Sequence, residues 1–325
     1  MQLRRGLRVL RCAPDEVQIG TDPRWAVRLG GLTEHEVDQL LDAGDTPLDG
    51  RLRPPALDGL ATAGLLRPRD LRPVAPRPGT VAEAHAAGLI RLDGDPGEAL
   101  RRRLVATVRV VGLDRVGAQV ALGLALAGVG AVLLEDGRTV GRGDLGSGVR
   151  ASDVGTPRAT AVARAVREAA PRTRVSRRGA RPPDVVVTVS DEATDPGTGL
   201  ELMGADIAHL PVVLRAADSE IGPFVEPGRS PCLRCVELHR TDLDPVWPVL
   251  LAQLTAVRAE VRSPGVPAAL AAVTAGMATA EVLAHLDGDV PGTRGATYEI
   301  ALPGAEPRRR AWAAHPDCGC AALPA

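Results

Sequence analysis

Four cysteines stand in two close pairs late in the chain. Cys232 and Cys235 lie in Pro-Cys-Leu-Arg-Cys, and Cys318 and Cys320 in His-Pro-Asp-Cys-Gly-Cys. Four thiolates delivered by two short knuckles are the donor set of a tetrahedral structural zinc. Closing such a site would tie the C-terminal tail to the body of the chain and contribute on the order of 10 kcal/mol to local folding. Three alternatives compete: unligated thiols, a site in which His315 replaces one thiolate of the shortened second knuckle, and a redox-active pair at 232–235. The fifth cysteine, Cys12, reads as a buried residue of an N-terminal module. His239 reads as a surface or supporting residue and not as a ligand.

A second group of residues is organised by glycine. The turn Gly112-Leu-Asp-Arg-Val-Gly117 follows a β-branched run over 105–111 and precedes an Ala/Leu-rich helix to about 127. A second apolar run then ends in Glu135-Asp136. Strand, glycine turn, helix, strand and acid is the order of a nucleotide-binding βαβ unit. Gly112, Asp114, Gly117 and Asp136 are therefore the cofactor-binding candidates. The middle glycine of the fingerprint is Asp114, which adds bulk and charge where a backbone must approach phosphate. Two like charges 4 Å apart repel by about 1 kcal/mol in water and about 4 kcal/mol at an effective protein dielectric. Arg115, next to it, is placed to offset part of that. Asp191 ends a continuous β-branched run over 184–190, the pattern of a strand buried on both faces. A parallel sheet presents ligand-facing residues at that end.

The elements that must position these groups follow from the pattern. Short strands are expected at 7–12, 16–20 and 25–29. Thr33 and Glu36 form a capping box that opens a helix to about 41, and a second helix runs over about 54–63. This reads as a small winged-helix-like domain over 1–75. Residues 67–79 are Pro/Arg-rich, and 76–104 reads as a linker. The domain at 105–325 should be α/β and Rossmann-like. Asp153 is expected to cap a helix with Pro157 in its first turn. Strands are expected at 173–176, 184–190, 210–214 and 221–225, helices at 244–260 and 266–286, and a strand pair at 296–302 and 308–312.

The 325 residues carry a net charge of −1, are 45% hydrophobic and only 2% aromatic, and include no lysine and no asparagine. The core must be Ala, Val and Leu. A balanced charge gives no electrostatic reason to expect nucleic acid or an anionic membrane as partner. Without lysine there is no Schiff base. No signal peptide is read at the N-terminus. The apolar helix at 266–286 holds Thr274, Thr279 and Glu281, which argues against a span, and a cytoplasmic protein is expected.

With these parts placed, residues 105–320 resemble the ThiF/MoeB branch of the ubiquitin-activating-enzyme superfamily. The resemblance rests on the glycine turn, Leu134-Glu-Asp136, Asp153-Val-Gly-Thr-Pro-Arg-Ala159, Ser190-Asp191, the stretch from Gly222 to Cys235, and Cys318-Gly-Cys320. It implies ATP and Mg as cofactors, with Asp136 holding the ribose and Asp191 linked to Mg. Arg158 stands where the family has a catalytic lysine, so Asp191 and Arg158 are the implied catalytic residues. Asp144 and Ser147 stand where Asn and Arg are expected, with Arg142 and Arg150 as substitutes for that Arg. The Cys232–Arg240 stretch, Asp244-Pro-Val-Trp-Pro248 and the His-Pro-Asp-Cys-Gly-Cys tail are similar to the ThiF-like subgroup that partners YcaO azoline cyclodehydratases.

That subgroup implies capture of a precursor (leader) peptide by the N-terminal domain, presentation to the cyclodehydratase, and an impaired adenylation site. Homodimerisation is implied by the superfamily. Two other functions compete: a working ATP-dependent adenylyltransferase acting on a peptide or protein C-terminus, and an NAD-dependent oxidoreductase using Asp136 for the adenosine ribose. Nothing downstream resembles a hydride-transfer site.

Overall fold

The Thr33 box is where the first half of the chain locks. In the computed structural model, which describes all residues except 5, 24–25, 45, 49, 68–78, 91–95, 180, 257–264 and 323–325, the chain forms two compact units, Met1–Arg101 and Arg102–Ala325. The first contains β1 (Gln2–Leu3), β2 (Val9–Ala13), β3 (Glu16–Ile19), β4 (Val27–Leu29), α1 (Glu34–Leu41), α2 (Pro54–Thr62), β5 (Leu66–Arg67) and α3 (Val81–Ile90). Strands β2, β3 and β4 form an antiparallel sheet in that order, and β1 pairs with β5. Thr33 Oγ1 accepts from the Glu36 N–H at 3.2 Å, and Glu36 accepts from the Thr33 N–H at 2.8 Å. Glu36 also takes the Arg53 N–H at 2.8 Å and its guanidinium at 2.7 Å, which fixes the start of α2 against α1. Val17, Ile19, Val37, Leu40, Leu48 and Leu60 are fully buried beneath.

Two expectations change here. Cys12 is exposed, not buried. It lies on an edge strand whose three middle residues, Leu10, Arg11 and Cys12, are all exposed, so neither face of the strand is covered there. The stretch 76–104 holds α3 and the start of α4 (Pro96–Val105), so helix occupies much of the segment read as linker. Trp25 and most of the Pro/Arg-rich run, 68–78, lie outside the described residues.

The second unit alternates strand and helix: β6 (Thr107–Val111), α5 (Arg115–Leu126), β7 (Ala131–Glu135), α6 (Arg158–Ala169), β8 (Arg174–Ser176), β9 (Val185–Asp191), α7 (Pro196–Gly204) and β10 (Ala208–Leu214). Then follow β11 (Asp218–Ile221), α8 (Leu233–Leu243), α9 (Trp247–Ala256), α10 (Ala268–Asp287), β12 (Ala296–Ala301) and β13 (Pro307–Ala311). They build one eight-stranded mixed sheet, ordered β13-β12-β11-β10-β9-β6-β7-β8. The five strands from β8 to β10 run parallel, and β11, β12 and β13 extend the sheet antiparallel. The chain winds outward in both directions from the β6/β9 pair. That pair is the topological switch point, where an open α/β sheet leaves a crevice beyond its carboxyl ends.

The core is aliphatic, as the composition requires: Val108, Val110, Val132, Leu134, Val185 and Val187 line the sheet under α5 and α6. Helix α10 is long and apolar enough by composition to cross a membrane. Here it packs along α5 and buries Leu270, Ala271, Ala275, Ala278 and Val282. The close fit has a local cause, since a Cβ on Gly123 of α5 would stand 3.0 Å from Thr279 Oγ1. Asp153 does not cap α6, whose N-cap is Pro157. Asp153 closes its own short turn on the Arg150 N–H at 2.7 Å and takes Arg164 at 2.5 Å. The strand expected at 221–225 lies earlier, at β11, and is followed by Gly222 at φ +98° and by Pro223, which has no N–H to give to a ladder.

Candidate nucleotide cleft and cysteine cluster

At the switch point the turn from β6 to α5 is built by close contact. Gly112 has φ +84°, and a Cβ there would lie 2.1 Å from the Val189 carbonyl oxygen on β9. A Cβ on Gly117 would lie 1.9 Å from the Gly112 carbonyl oxygen. Both glycines are therefore demanded by the packing of strand, turn and helix. The middle position works differently. Asp114 is the N-cap of α5, and its carboxylate accepts from the Val116 N–H at 2.8 Å and the Gly117 N–H at 3.0 Å. These are donors that a helix N-terminus offers to a phosphate; here the chain's own carboxylate holds them. Burial pushes the Asp114 carboxyl above its ordinary range, while the Gly117 and Val116 N–H groups and the Arg158 charge pull the other way.

Asp136 follows the end of β7, and its side chain is buried. Its carboxylate accepts from the Leu113 N–H and the Arg138 N–H, both at 2.7 Å. Arg158 grips Asp144 with two hydrogen bonds, at 2.9 and 2.7 Å, and reaches Asp136 at 3.3 Å. Asp144 also accepts from the Gly141 N–H at 2.8 Å, closing the loop that carries it. Asp191, at the end of β9, is 34% exposed and receives one hydrogen bond from Arg138 at 3.2 Å. Above these groups opens a cleft of about 710 Å³ with Asp114, Arg138, Arg142, Asp144, Arg158 and Asp191 on its wall.

The structure thus brings Asp114, Arg158 and Asp191 together in one cleft, with Asp136 bonded beneath it. Arg115 does not simply neutralise Asp114: its guanidinium donates to the carbonyls of Leu145 at 3.1 Å and Val266 at 2.9 Å. Arg142 is exposed at the cleft wall and makes no hydrogen bond or ion pair among the described residues. Arg150 is spent on Glu168 at 2.6 Å. Arg138 was not foreseen. Its one legible signal is a basic residue two positions after the strand-end acid. Chemically, the cleft offers one accessible carboxylate for a divalent cation, Asp191, and one uncommitted guanidinium for a phosphate, Arg142.

The four cysteines converge elsewhere in this unit. Cys232 is the N-cap of α8 and Cys235 lies in its first turn. Cys232 Sγ lies 3.5 Å from Cys318 Sγ, and Cys235 Sγ lies 3.3 Å from Cys320 Sγ. All four sulfurs are buried and within 4.8 Å of one another. Four thiolates at about 2.3 Å from a tetrahedral zinc would sit about 3.8 Å apart, so the cluster has the donor set and the spacing that zinc takes. Burial pushes the Cys232 thiol up; a cation is what would let it ionise there. His315 is not among the donors. It bonds Asp242 at 2.9 Å and accepts from the Asp317 N–H at 3.1 Å. His239 bonds the Ala313 carbonyl at 3.1 Å, and its ring nitrogen, a carboxylate oxygen of Asp242 and a ring nitrogen of His315 lie within 4.8 Å of one another.

Residues 88–195 match the ThiF family. The chain carries a ThiF family domain. The match covers the glycine turn, Asp136, Arg158 and Asp191, the residues that line or underlie the cleft. The ThiF-type fold extends beyond it. The structure superposes on Escherichia coli MccB solved with SeMet MccA with a TM-score of 0.72, at 14% identity over 98% of both chains. The same enzyme solved with ATP gives a TM-score of 0.72, at 14% identity over 98% of both chains. A structure of SeMet PaaA matches with a TM-score of 0.68, at 16% identity over 94% of this chain and 98% of that one. No curated protein matches the sequence.

Proposed function

We propose that this chain is a ThiF-like peptide-handling protein of the cytoplasm. Its N-terminal unit captures the leader of a ribosomal precursor peptide, and the chain presents that precursor to a YcaO-type cyclodehydratase for thiazole or oxazole formation. The observation that carries this reading is a groove in the first unit. Strand β2 lies at the edge of its sheet. Between it and α1 runs a groove of about 570 Å³ lined by Leu7, Val9, Leu10, Leu40 and Leu41, with Arg8 beside them. An open strand edge next to alternating apolar pockets accepts an extended peptide by strand addition. In support, the fold is that of MccB, which was solved with the peptide MccA. A homodimer, as in the superfamily, fits this role.

In the same proposal the second unit keeps the nucleotide fold with a weakened site. Asp114 occupies helix N–H groups that would meet phosphate, and Arg158 is held by Asp144. The second reading, a working adenylyltransferase acting on a peptide C-terminus, is favoured by the accessible Asp191 and the uncommitted Arg142. Zinc at Cys232, Cys235, Cys318 and Cys320 is structural in both readings.

Two measurements separate them. Fluorescence anisotropy with a labelled precursor peptide should show binding without ATP, weakened at least about tenfold by Leu10→Asp at the exposed rim of the groove. ATP–pyrophosphate exchange with the same peptide should be absent. Exchange that disappears in Asp191→Ala would establish the enzyme reading and overturn the presenting one.

A further inference from the structure

A second group of donors shares both chain segments of the cysteine cluster. Cys232, Cys235, His239 and Asp242 recur at intervals of three, four and three residues, so they follow one face of α8. The tail follows the same face. It sets Cys318 and Cys320 against Cys232 and Cys235, and His315 against Asp242. A ring nitrogen of His239, a carboxylate oxygen of Asp242 and a ring nitrogen of His315 thereby come within 4.8 Å of one another. His239 stands seven positions after Cys232, about 10 Å further along the helix axis. The group is therefore separate from the four thiols.

Each member has surroundings that suit a ligand. His239 Nε2 lies 3.1 Å from the Ala313 carbonyl oxygen. A carbonyl there fixes the ring proton on Nε2 and leaves Nδ1 with its lone pair. His315 is buried and meets the His239 ring edge-on, with centroids 4.7 Å apart. Its Nδ1 accepts from the Asp317 N–H, so its proton sits on Nε2 and is donated to Asp242 at 2.9 Å. Asp242 is 65% exposed, which opens one side of the group to solvent.

We propose that His239, Asp242 and His315 form a second metal site, for a divalent transition metal such as zinc, weaker than the cysteine cluster. Two imidazoles and one carboxylate suit zinc, cobalt or ferrous iron, and not magnesium or calcium, which take oxygen donors. Such donors around a tetrahedral zinc stand about 3.4 Å apart. Here one pair is at 2.9 Å and all three are within 4.8 Å. The ion takes the place of the proton between His315 and Asp242. That proton passes to Nδ1, which gives up the Asp317 N–H, and this cost makes the site the weaker of the two. Three protein donors leave a fourth position for water or for a donor atom of a bound molecule.

The test adds Co²⁺ to the full chain already carrying one zinc. Cobalt binds a given donor set less tightly than zinc, so it leaves the cysteines loaded. One equivalent of cobalt should bind, with visible d–d absorption and no thiolate-to-metal charge transfer in the near ultraviolet, because the site holds no sulfur. Added Zn²⁺ should displace it. Asp242→Asn keeps an acceptor for His315 and removes the anionic donor. It and His239→Gln should each weaken cobalt binding at least about tenfold, with the first zinc retained. Asp242 is exposed, so its variant keeps the test decisive if His239→Gln fails to fold. Three results overturn the site: no cobalt bound, bound cobalt with thiolate charge transfer, or a folded variant that binds cobalt as tightly as the parent chain.

Discussion

Asp114 decides how the cleft is read. A glycine at this position would leave the Val116 and Gly117 N–H groups pointing into the crevice, and the aspartate instead folds its carboxylate back onto them. The substitution Asp114→Gly frees both donors and removes a charge, and costs only a few tenths of a kcal/mol in capping. ATP affinity measured by calorimetry should rise in that variant and rise less in Asp114→Asn, which keeps a cap but loses the charge. Unchanged affinity in both would mean that Asp114 is not what limits the site. Arg158 is the counterpart. It is the shared cation of Asp144 and Asp136, all three largely buried. Arg158→Ala should lower unfolding stability by about 3–5 kcal/mol in denaturant titration, since it strands two buried carboxylates. A loss under about 1 kcal/mol would show that the pairs relax toward solvent.

At the level of elements, α1 depends on a carboxylate. Glu36 caps its own helix and takes Arg53, and the guanidinium beside it holds its carboxyl well below its ordinary value of 4.5. An acid with a depressed native pKa adds stability that is complete above its unfolded value. That stability is eroded below it and is gone once pH passes the native value. Melting of the N-terminal unit, followed by far-UV dichroism, should therefore drop as pH falls from about 5 toward 2, and Glu36→Gln should flatten that slope. An equal slope in the variant would move the acid sensitivity elsewhere. The Thr33–Glu36 box was legible because a capping box is local, and β6, α5 and β7 were legible because their apolar periods are long. The switch point was not legible, because it depends on which strands lie side by side. The Arg158–Asp144 pair was not legible, because its members stand 14 positions apart in an irregular segment. Cys12 was misread because its apolar neighbours suggest a covered strand, whereas Leu10, Arg11 and Cys12 are all exposed on the sheet edge.

The whole molecule has two cores, and the cysteine cluster belongs to one of them. Val17, Ile19, Leu40 and Leu60 close the first core without any residue of the second unit. The tail reaches α8 through Cys318 and Cys320, which meet cysteines more than eighty residues earlier in the chain. A metal held there should therefore act on the second unit alone. Purified protein should carry one zinc per chain, and Cys318→Ser should lose it. Metal removal should cost the second unit on the order of 10 kcal/mol of local folding free energy at most. Hydrogen exchange should then speed up over 232–243 and 307–320, while amides of β3 and α1 keep their protection. Precursor binding at the β2 groove should persist after chelation, because a unit with its own core folds on its own contacts. Protein that holds no zinc and yet keeps slow exchange over 232–243 would show four free thiols in place of a metal site. Loss of precursor binding on chelation would show that the two units depend on one another for peptide capture.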